Sequence, residues 1–338
     1  MKKHLRFTAL SAIAALSLAG CATGEDSGSA SSSSSAADGS ASSEEVKMVS
    51  VTDQFGEHEV PVDPQRVVAT DNRILETLQD WDIPLVAAPQ DIIPTTISYR
   101  TDDSVVNIGN HMEPDLEVIV AAEPDLVLNG QRFQRMYEDI KSLVPDATVL
   151  DYEIEEGENL GEELKHQITD VGKIFQREDD AKKLNDKFDE SVAAAKEAYD
   201  PDLSVMAVIV SGGEIGYVAP TVGRTLGPVF DLLDLTPALE VDNVSDDHKG
   251  DDISVEAIAA ANPDLLLVMD RDAAVKADDP DYTPALEVLR NSEALKDVPA
   301  IQNDAIMVMD NDTYTNEGIQ TYTEYFNAIA EKLKALKK

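Results

Sequence analysis

Arg132, Arg224 and Arg271 are the residues whose type and placement could do chemistry in this chain. Each follows an apolar, strand-like run or a glycine-containing loop near the end of one. A guanidinium stays protonated, offers a planar fork of donors to oxygen ligands and stacks on aromatic faces. Three of them converging would suit a rigid ligand that is both anionic and aromatic. The alternative is that each is a surface arginine paired with one of the 66 acidic residues. Signals of catalysis are missing by comparison. There is no GxSxG elbow, no P-loop, no HExxH and no GxGxxG after a strand. His4, His58, His111, His166 and His248 are scattered, and carboxylates are too abundant for any pair to stand out. Nothing in the sequence argues for an enzyme.

Two of the three arginines occupy the same place in a stretch that occurs twice. One copy runs from Glu117 through Pro124-Asp125-Leu126 to Leu128, and the other from Glu256 through Pro263-Asp264-Leu265 to Leu267; Arg132 and Arg271 follow at the same spacing. Each copy reads as a short helix stopped by proline, then a buried strand, since the residue before proline avoids helical geometry and a short apolar run suits a doubly covered parallel strand. Open α/β sheets bind ligands at the carboxyl ends of their strands, so two such lobes would each aim an arginine at a common cleft. The same string also serves as an ordinary helix–strand joint. Equivalent placement in two copies is what favours a site for Arg132 and Arg271.

The chain around these copies divides by composition. Residues 1–20 read as a signal peptide: Lys2, Lys3 and Arg6 precede an apolar stretch from Phe7 to Ala19 that is short for a membrane span. It ends in Leu18-Ala19-Gly20-Cys21, similar to a bacterial lipobox, which makes Cys21 the expected lipidation site. Cys21 is the only cysteine, so no intrachain disulfide is possible. Residues 21–45 are rich in Ser, Ala, Gly and acid and read as a flexible tether. Residues 46–158 are expected to form an N-terminal α/β lobe, 159–200 a helical connector with a break near Arg177, and 201–338 a C-terminal α/β lobe. The formal charge is −39 and grows more negative once the basic leader departs. Nucleic acid is thereby excluded as a partner on electrostatic grounds.

The string His248-Lys-Gly250, then Ile253-Ser254-Val-Glu256, then Asn262-Pro263-Asp264 through Asp270-Arg271-Asp-Ala-Ala-Val275 resembles the ferric-siderophore-binding components of ATP-binding-cassette importers, and more narrowly those that take catecholates. The resemblance extends from about Met48 to the end. It implies the class III periplasmic-binding-protein fold: two Rossmann-like α/β lobes joined by a long connecting helix. It implies a monomeric, non-enzymatic receptor without an intrinsic cofactor, which hands its ferric siderophore to a membrane permease and its ATPase. It carries three ligand-binding arginines onto Arg132, Arg224 and Arg271. In some relatives a histidine and a tyrosine hold the siderophore's iron, which falls here on His248 and Tyr314. Lys249 stands as an extra residue before Gly250, which leaves His248 open between ligand and solvated loop residue. Acids that dock to the permease fall on Glu76 and Asp231.

Other ligands for the same receptor class are haem, cobalamin, or a hydroxamate or citrate siderophore. A zinc or manganese receptor would need three or four converging His, Glu or Asp ligands, against which the histidine scatter argues. A surface-tethered enzyme would need a nucleophile–base pair in the cleft.

Overall fold

The computed structural model describes residues 47–155 and 157–337. The leader, Cys21 and the tether at 21–45 lie outside the described residues. The chain opens with an antiparallel hairpin, β1 (Met48–Asp53) and β2 (Gly56–Pro61). It continues through β3 (Val67–Ala69), α1 (Asn72–Asp80), β4 (Leu85–Ala88), β5 (Val106–Asn107), α2 (Leu116–Ala121), β6 (Leu126–Asn129), α3 (Tyr137–Leu143) and β7 (Thr148–Asp151). These strands form a parallel sheet in the order β5-β4-β3-β6-β7. A second sheet comes from β8 (Ser204–Ser211), β9 (Glu214–Val218), β10 (Thr236–Pro237), β11 (Leu265–Asp270) and β12 (Ile306–Val308). Its order is β10-β8-β11-β12, all parallel, with β9 antiparallel on β8. Both sheets reverse direction of growth at one place, between β3 and β6 and between β8 and β11. A crevice opens at the carboxyl ends of the strands at such a switch point.

Between the sheets run α4 (Leu160–Ile174) and α5 (Glu178–Ala198). Asn159 caps α4 by accepting from the Glu162 amide at 3.1 Å, and acids at 162, 163 and 178–180 face the positive end of each helix dipole. The connector is two helices, not one: Gln176 takes a left-handed φ of 55°, and the Arg177 amide closes back on the Gly172 carbonyl at 2.7 Å. The second-sheet helices are α6 (Gly227–Leu233), α7 (Val255–Ala261), α8 (Arg271–Val275), α9 (Ala285–Asn291), α10 (Pro299–Gln302), α11 (Thr313–Asn316) and the closing α12 (Ile319–Leu336). α5 packs along α12, with Phe188 and Phe326 ring centres 5.8 Å apart.

Side-chain alternation along the strands sorts the core into layers. Leu126 and Leu128 of β6, Val205, Ala207 and Ile209 of β8, and Leu265, Leu267 and Met269 of β11 all enter one apolar cluster shared with α4, α5 and α12. The intervening residues face outward into clusters private to each sheet: Val127 in the first, Met206, Val208, Leu266 and Val268 in the second. This is the period-2 reading of strands buried on both faces. The two sheets therefore share a core through the connector helices. No helix among the described residues is long and apolar enough to cross a membrane.

Candidate ligand-binding site

The aspartate of each Pro-Asp-Leu string aligns the neighbouring strand. Asp125 accepts from the Gln65 and Arg66 amides at 2.8 and 2.9 Å, just ahead of β3. Asp264 accepts from the Ser204 amide and hydroxyl, both at 2.9 Å, at the start of β8. Each copy thus fixes the register of its own strand against the central neighbour, and with it the height of the residues at the far end.

At those far ends stand two of the arginines. After β6 the chain passes Gly130, where a Cβ would lie 2.6 Å from the Asp71 carboxylate; only glycine allows this close crossing at the switch point. A short 3-10 turn, Gln131–Met136, then presents Arg132. Arg271 is the first residue of α8, directly after β11, and donates to the Ser211 hydroxyl at 3.3 Å across the second switch point. Arg224 comes from the loop before α6.

All three meet at Tyr314. Their guanidinium carbons lie 5.4 Å (Arg132), 5.1 Å (Arg224) and 5.1 Å (Arg271) from the centre of its ring. Arg132 also donates to the Tyr314 backbone carbonyl at 2.6 Å. Tyr314 is 8% exposed, and the described residues make no hydrogen bond to its hydroxyl. Tyr314 sits on a second-lobe segment that α1 of the first lobe ties down. Asn72 of α1 donates to the Thr315 carbonyl at 2.7 Å, Asn316 donates to Glu76 at 2.7 Å, and Thr77 donates to Gln320 at 3.0 Å.

Three clustered cations need anions nearby. Glu317, 7% exposed, lies 3.1 Å from Arg224 Nη2 and also accepts from Gln131 of the first lobe and from the Thr225 hydroxyl. Burial alone would raise the Glu317 pKa, but Arg224 and Arg132 hold it below the usual carboxylate range. Glu317 in turn raises the Arg224 pKa against the effect of burial. Arg132, with no such pair, is lowered chiefly by burial, yet a guanidinium starts high enough to stay charged. Asp272 lies 3.5 Å from Arg271 and accepts from the Gly212 amide at 2.5 Å. His111 is half-buried near the cluster: burial, then Arg132, Arg135 and Arg224, depress its pKa. Its Nδ1 is buried without a partner, as are the Nε atoms of Arg224 and Arg271. Buried polar atoms left without a partner in this way are costly.

The remaining expected residues lie elsewhere. The His248 side chain is 49% exposed and pairs only with Asp247, at 3.7 Å; no contact among the described residues joins it to the arginines or Tyr314. The cause is backbone packing. A Cβ on Gly216 would fall 1.9 Å from the Lys249 carbonyl, so the 249–250 segment lies flat against β9, and Tyr217 bridges to Asp251. Asp231 is exposed and accepts from Thr221 at 3.1 Å. Glu76 is half-buried and faces a cavity of about 1100 Å³ lined also by Arg100, Lys276, Asp310 and Glu324. Neither the three arginines nor Tyr314 line that cavity, whose walls are mainly acidic and polar. No group of three or more His, Cys, Asp or Glu among the described residues could hold a metal ion.

Glu317, Gln131 and His111 were not singled out by the sequence. Glu317 is one acid among 66, and its partners are 186 and 93 residues away in the chain. The one available signal is its place three residues after Tyr314 and just before Gly318.

Two sheets with arginines at both switch points, closing on one aromatic ring, define a ligand-binding protein of the two-lobe type. The chain matches the family described as "Periplasmic binding protein" over residues 67–313 and belongs to it. It is 25% identical over 280 residues to the petrobactin-binding protein YclQ of Bacillus subtilis, covering 81% of this chain and 84% of that one. It is 28% identical over 215 residues to the ferric-anguibactin-binding protein FatB of Vibrio anguillarum, covering 63% and 66%. The structure of the catecholate-siderophore-binding protein VctP from Vibrio cholerae superposes with a TM-score of 0.73 at 23% identity, covering 86% of this chain and all of the other. That likeness concerns the fold.

Proposed function

We propose that this chain is an extracytoplasmic receptor that captures a ferric siderophore, catecholate in type, between its lobes and delivers it to an ATP-binding-cassette permease for iron uptake. It carries out no covalent chemistry. The observation that supports this most directly is the set of three arginines around Tyr314. Catecholate oxygens are anionic acceptors in the plane of flat aromatic rings, so the oxygen-bearing edge takes charge-assisted hydrogen bonds while the ring faces stack. Relatives named for binding petrobactin and ferric anguibactin support the ligand class. Tyr314 is the residue we assign to the iron itself, when a ligand leaves coordination positions open. A phenolate oxygen suits a hard ferric ion.

The working parts in this reading are the lobes at 46–158 and 201–338, the connector at 159–200, and a membrane anchor through lipid on Cys21. Asp231 is the exposed acid for permease docking. Glu76 would serve that role only after leaving Asn316, because its carboxylate is turned into the groove. The protein acts as a monomer.

Titrating the fluorescence of Trp81, Tyr217 and Tyr314 with ferric tris-catecholate, bis-catecholate, hydroxamate and citrate complexes tests the reading. Saturable quenching by a catecholate complex is expected. Quenching by none of the catecholates, with binding of citrate or hydroxamate instead, would replace the ligand class while leaving the receptor class standing.

A further inference from the structure

Counting charges at the cluster gives a result that three arginines alone do not suggest. Arg132, Arg224 and Arg271 surround Tyr314, but Glu317 is bonded to Arg224 and Asp272 lies against Arg271. Two of the three cations already have a resident anion. Glu317 is not free to leave. Its carboxylate takes hydrogen bonds from Gln131 of the first lobe and from Arg224 and Thr225 of the second, and it is 7% exposed. Its φ of 55° fixes the turn between α11 and α12. The adjoining backbone is equally confined: a Cβ on Gly318 would meet the Arg73 carbonyl at 2.6 Å.

We propose that Glu317 is a built-in counter-anion that sets the charge of the complex this cleft accepts. It would favour ferric complexes with about one net negative charge, such as bis-catecholates, over closed tris-catecholates with about three, because each added ligand charge meets Glu317 across a poorly hydrated site. The proposal rests on the siderophore reading above and narrows it. Each guanidinium carries five N–H donors, of which the resident partners take only some, so attraction is retained while excess charge is penalised. The depressed pKa of Glu317 keeps it ionised at neutral pH. Specificity of this kind arises from a repulsive element placed beside an attractive one.

The test compares two probes on the whole folded protein: the ferric complex of a synthetic tetradentate bis-catecholate and that of a hexadentate tris-catecholate. The wild type is expected to bind the bis-catecholate on the order of tenfold more tightly. In Glu317→Gln the ratio should move toward the tris-catecholate by on the order of tenfold, since one charge no longer opposes the two extra ligand charges. A merely structural role for Glu317 would weaken both probes alike and leave the ratio unchanged, which overturns the proposal. Equal or tighter binding of the tris-catecholate by the wild type overturns it too, and that measurement needs no variant to fold. If the wild type binds neither probe, the siderophore reading itself fails; if it binds both with no charge preference, only the role of Glu317 falls.

Discussion

The two copies of the helix–proline–strand stretch begin alike and end differently. In both, the aspartate after proline clamps the first residues of the adjacent strand, at 2.8–2.9 Å from Asp125 and at 2.9 Å from Asp264. At the other end, β6 stops at Asn129, whose side chain is committed to Thr70 and Asp151. Gly130 and Gln131, both at positive φ, then lift Arg132 on a 3-10 turn. β11 continues to Asp270, which caps α8 through the Ala273 amide at 3.0 Å and also accepts from Tyr282 and Ala285. Arg271 follows at once. Equal spacing in the sequence is thus reached by unequal backbone paths. The arginines differ in consequence: Arg132 is tied across to the second lobe through the Tyr314 carbonyl, whereas Arg271 finds partners only in its own lobe.

That difference predicts separable effects for the two arginines. Arg271→Ala should weaken ferric-catecholate binding by roughly 100-fold, about 2.7 kcal/mol, with little change in unfolding midpoint. Arg132→Ala should weaken binding similarly but also destabilise the unliganded protein by about 1–2 kcal/mol, because it leaves the Tyr314 carbonyl without its donor. Titration calorimetry and urea unfolding on the same samples separate the two quantities. Equal stability losses would mean that Arg132 is not an inter-lobe tie. Arg177, largely exposed beside Asp180, is the control whose removal should leave binding unaffected.

The shared beginning makes the opposite prediction. Asp125→Ala and Asp264→Ala should each cost about 1–2 kcal/mol of stability, since each orphans donors at a strand start. Ligand affinity should stay within about twofold for both. A binding loss from either one without a stability loss would show that the aspartates position the arginines and do more than hold register.

Between the lobes, Glu76 gives a smaller and pH-dependent effect. Burial first, then the neighbouring acids Glu324, Asp80 and Asp312, push its pKa up to about 7 against the Asn316 hydrogen bond. A carboxyl raised in the folded state binds more protons folded than unfolded. Its stabilising contribution is therefore complete below the unfolded value and is lost as pH rises through about 7. Glu76→Gln, which can keep the bond to Asn316, should raise the melting temperature relative to wild type at pH 8 and leave it nearly equal at pH 5. A difference independent of pH would place the carboxylate in solvent instead of the groove.

How much of this was legible follows from where each interaction is encoded. The strands were readable because their apolar runs are local, as were the helix stops at Pro124 and Pro263 and the break near Arg177. The two arginines of the repeat could be singled out from spacing, Arg224 from its place in a glycine-containing loop, and Tyr314 from family resemblance. β9 is a strand that the sequence does not announce: Glu214-Ile-Gly-Tyr-Val carries a glycine where a strand is weakest. That glycine is required because the Lys249 carbonyl approaches it. Glu317 and Gln131 escaped because their meaning lies in a contact between residues 186 apart in the chain. The resemblance implies one long connecting helix, while the sequence itself reads a break near Arg177; the shared apolar cluster shows two helices packed into a common core, which leaves less freedom for the lobes to move apart.

His248 offers the smallest effect and the sharpest question about that freedom. With the 249–250 segment held against Gly216 and the imidazole half in solvent, His248→Ala should change stability by less than about 0.5 kcal/mol and ferric-catecholate affinity by less than about threefold. His111→Ala, which removes the buried open nitrogen beside Arg132, should cost more binding than His248→Ala. The reverse order would mean that the loop around His248 leaves β9 and folds over the ligand. Closure would then come from one loop of the second lobe, where a shared core permits it, and not from a rotation of the lobes, which that core resists.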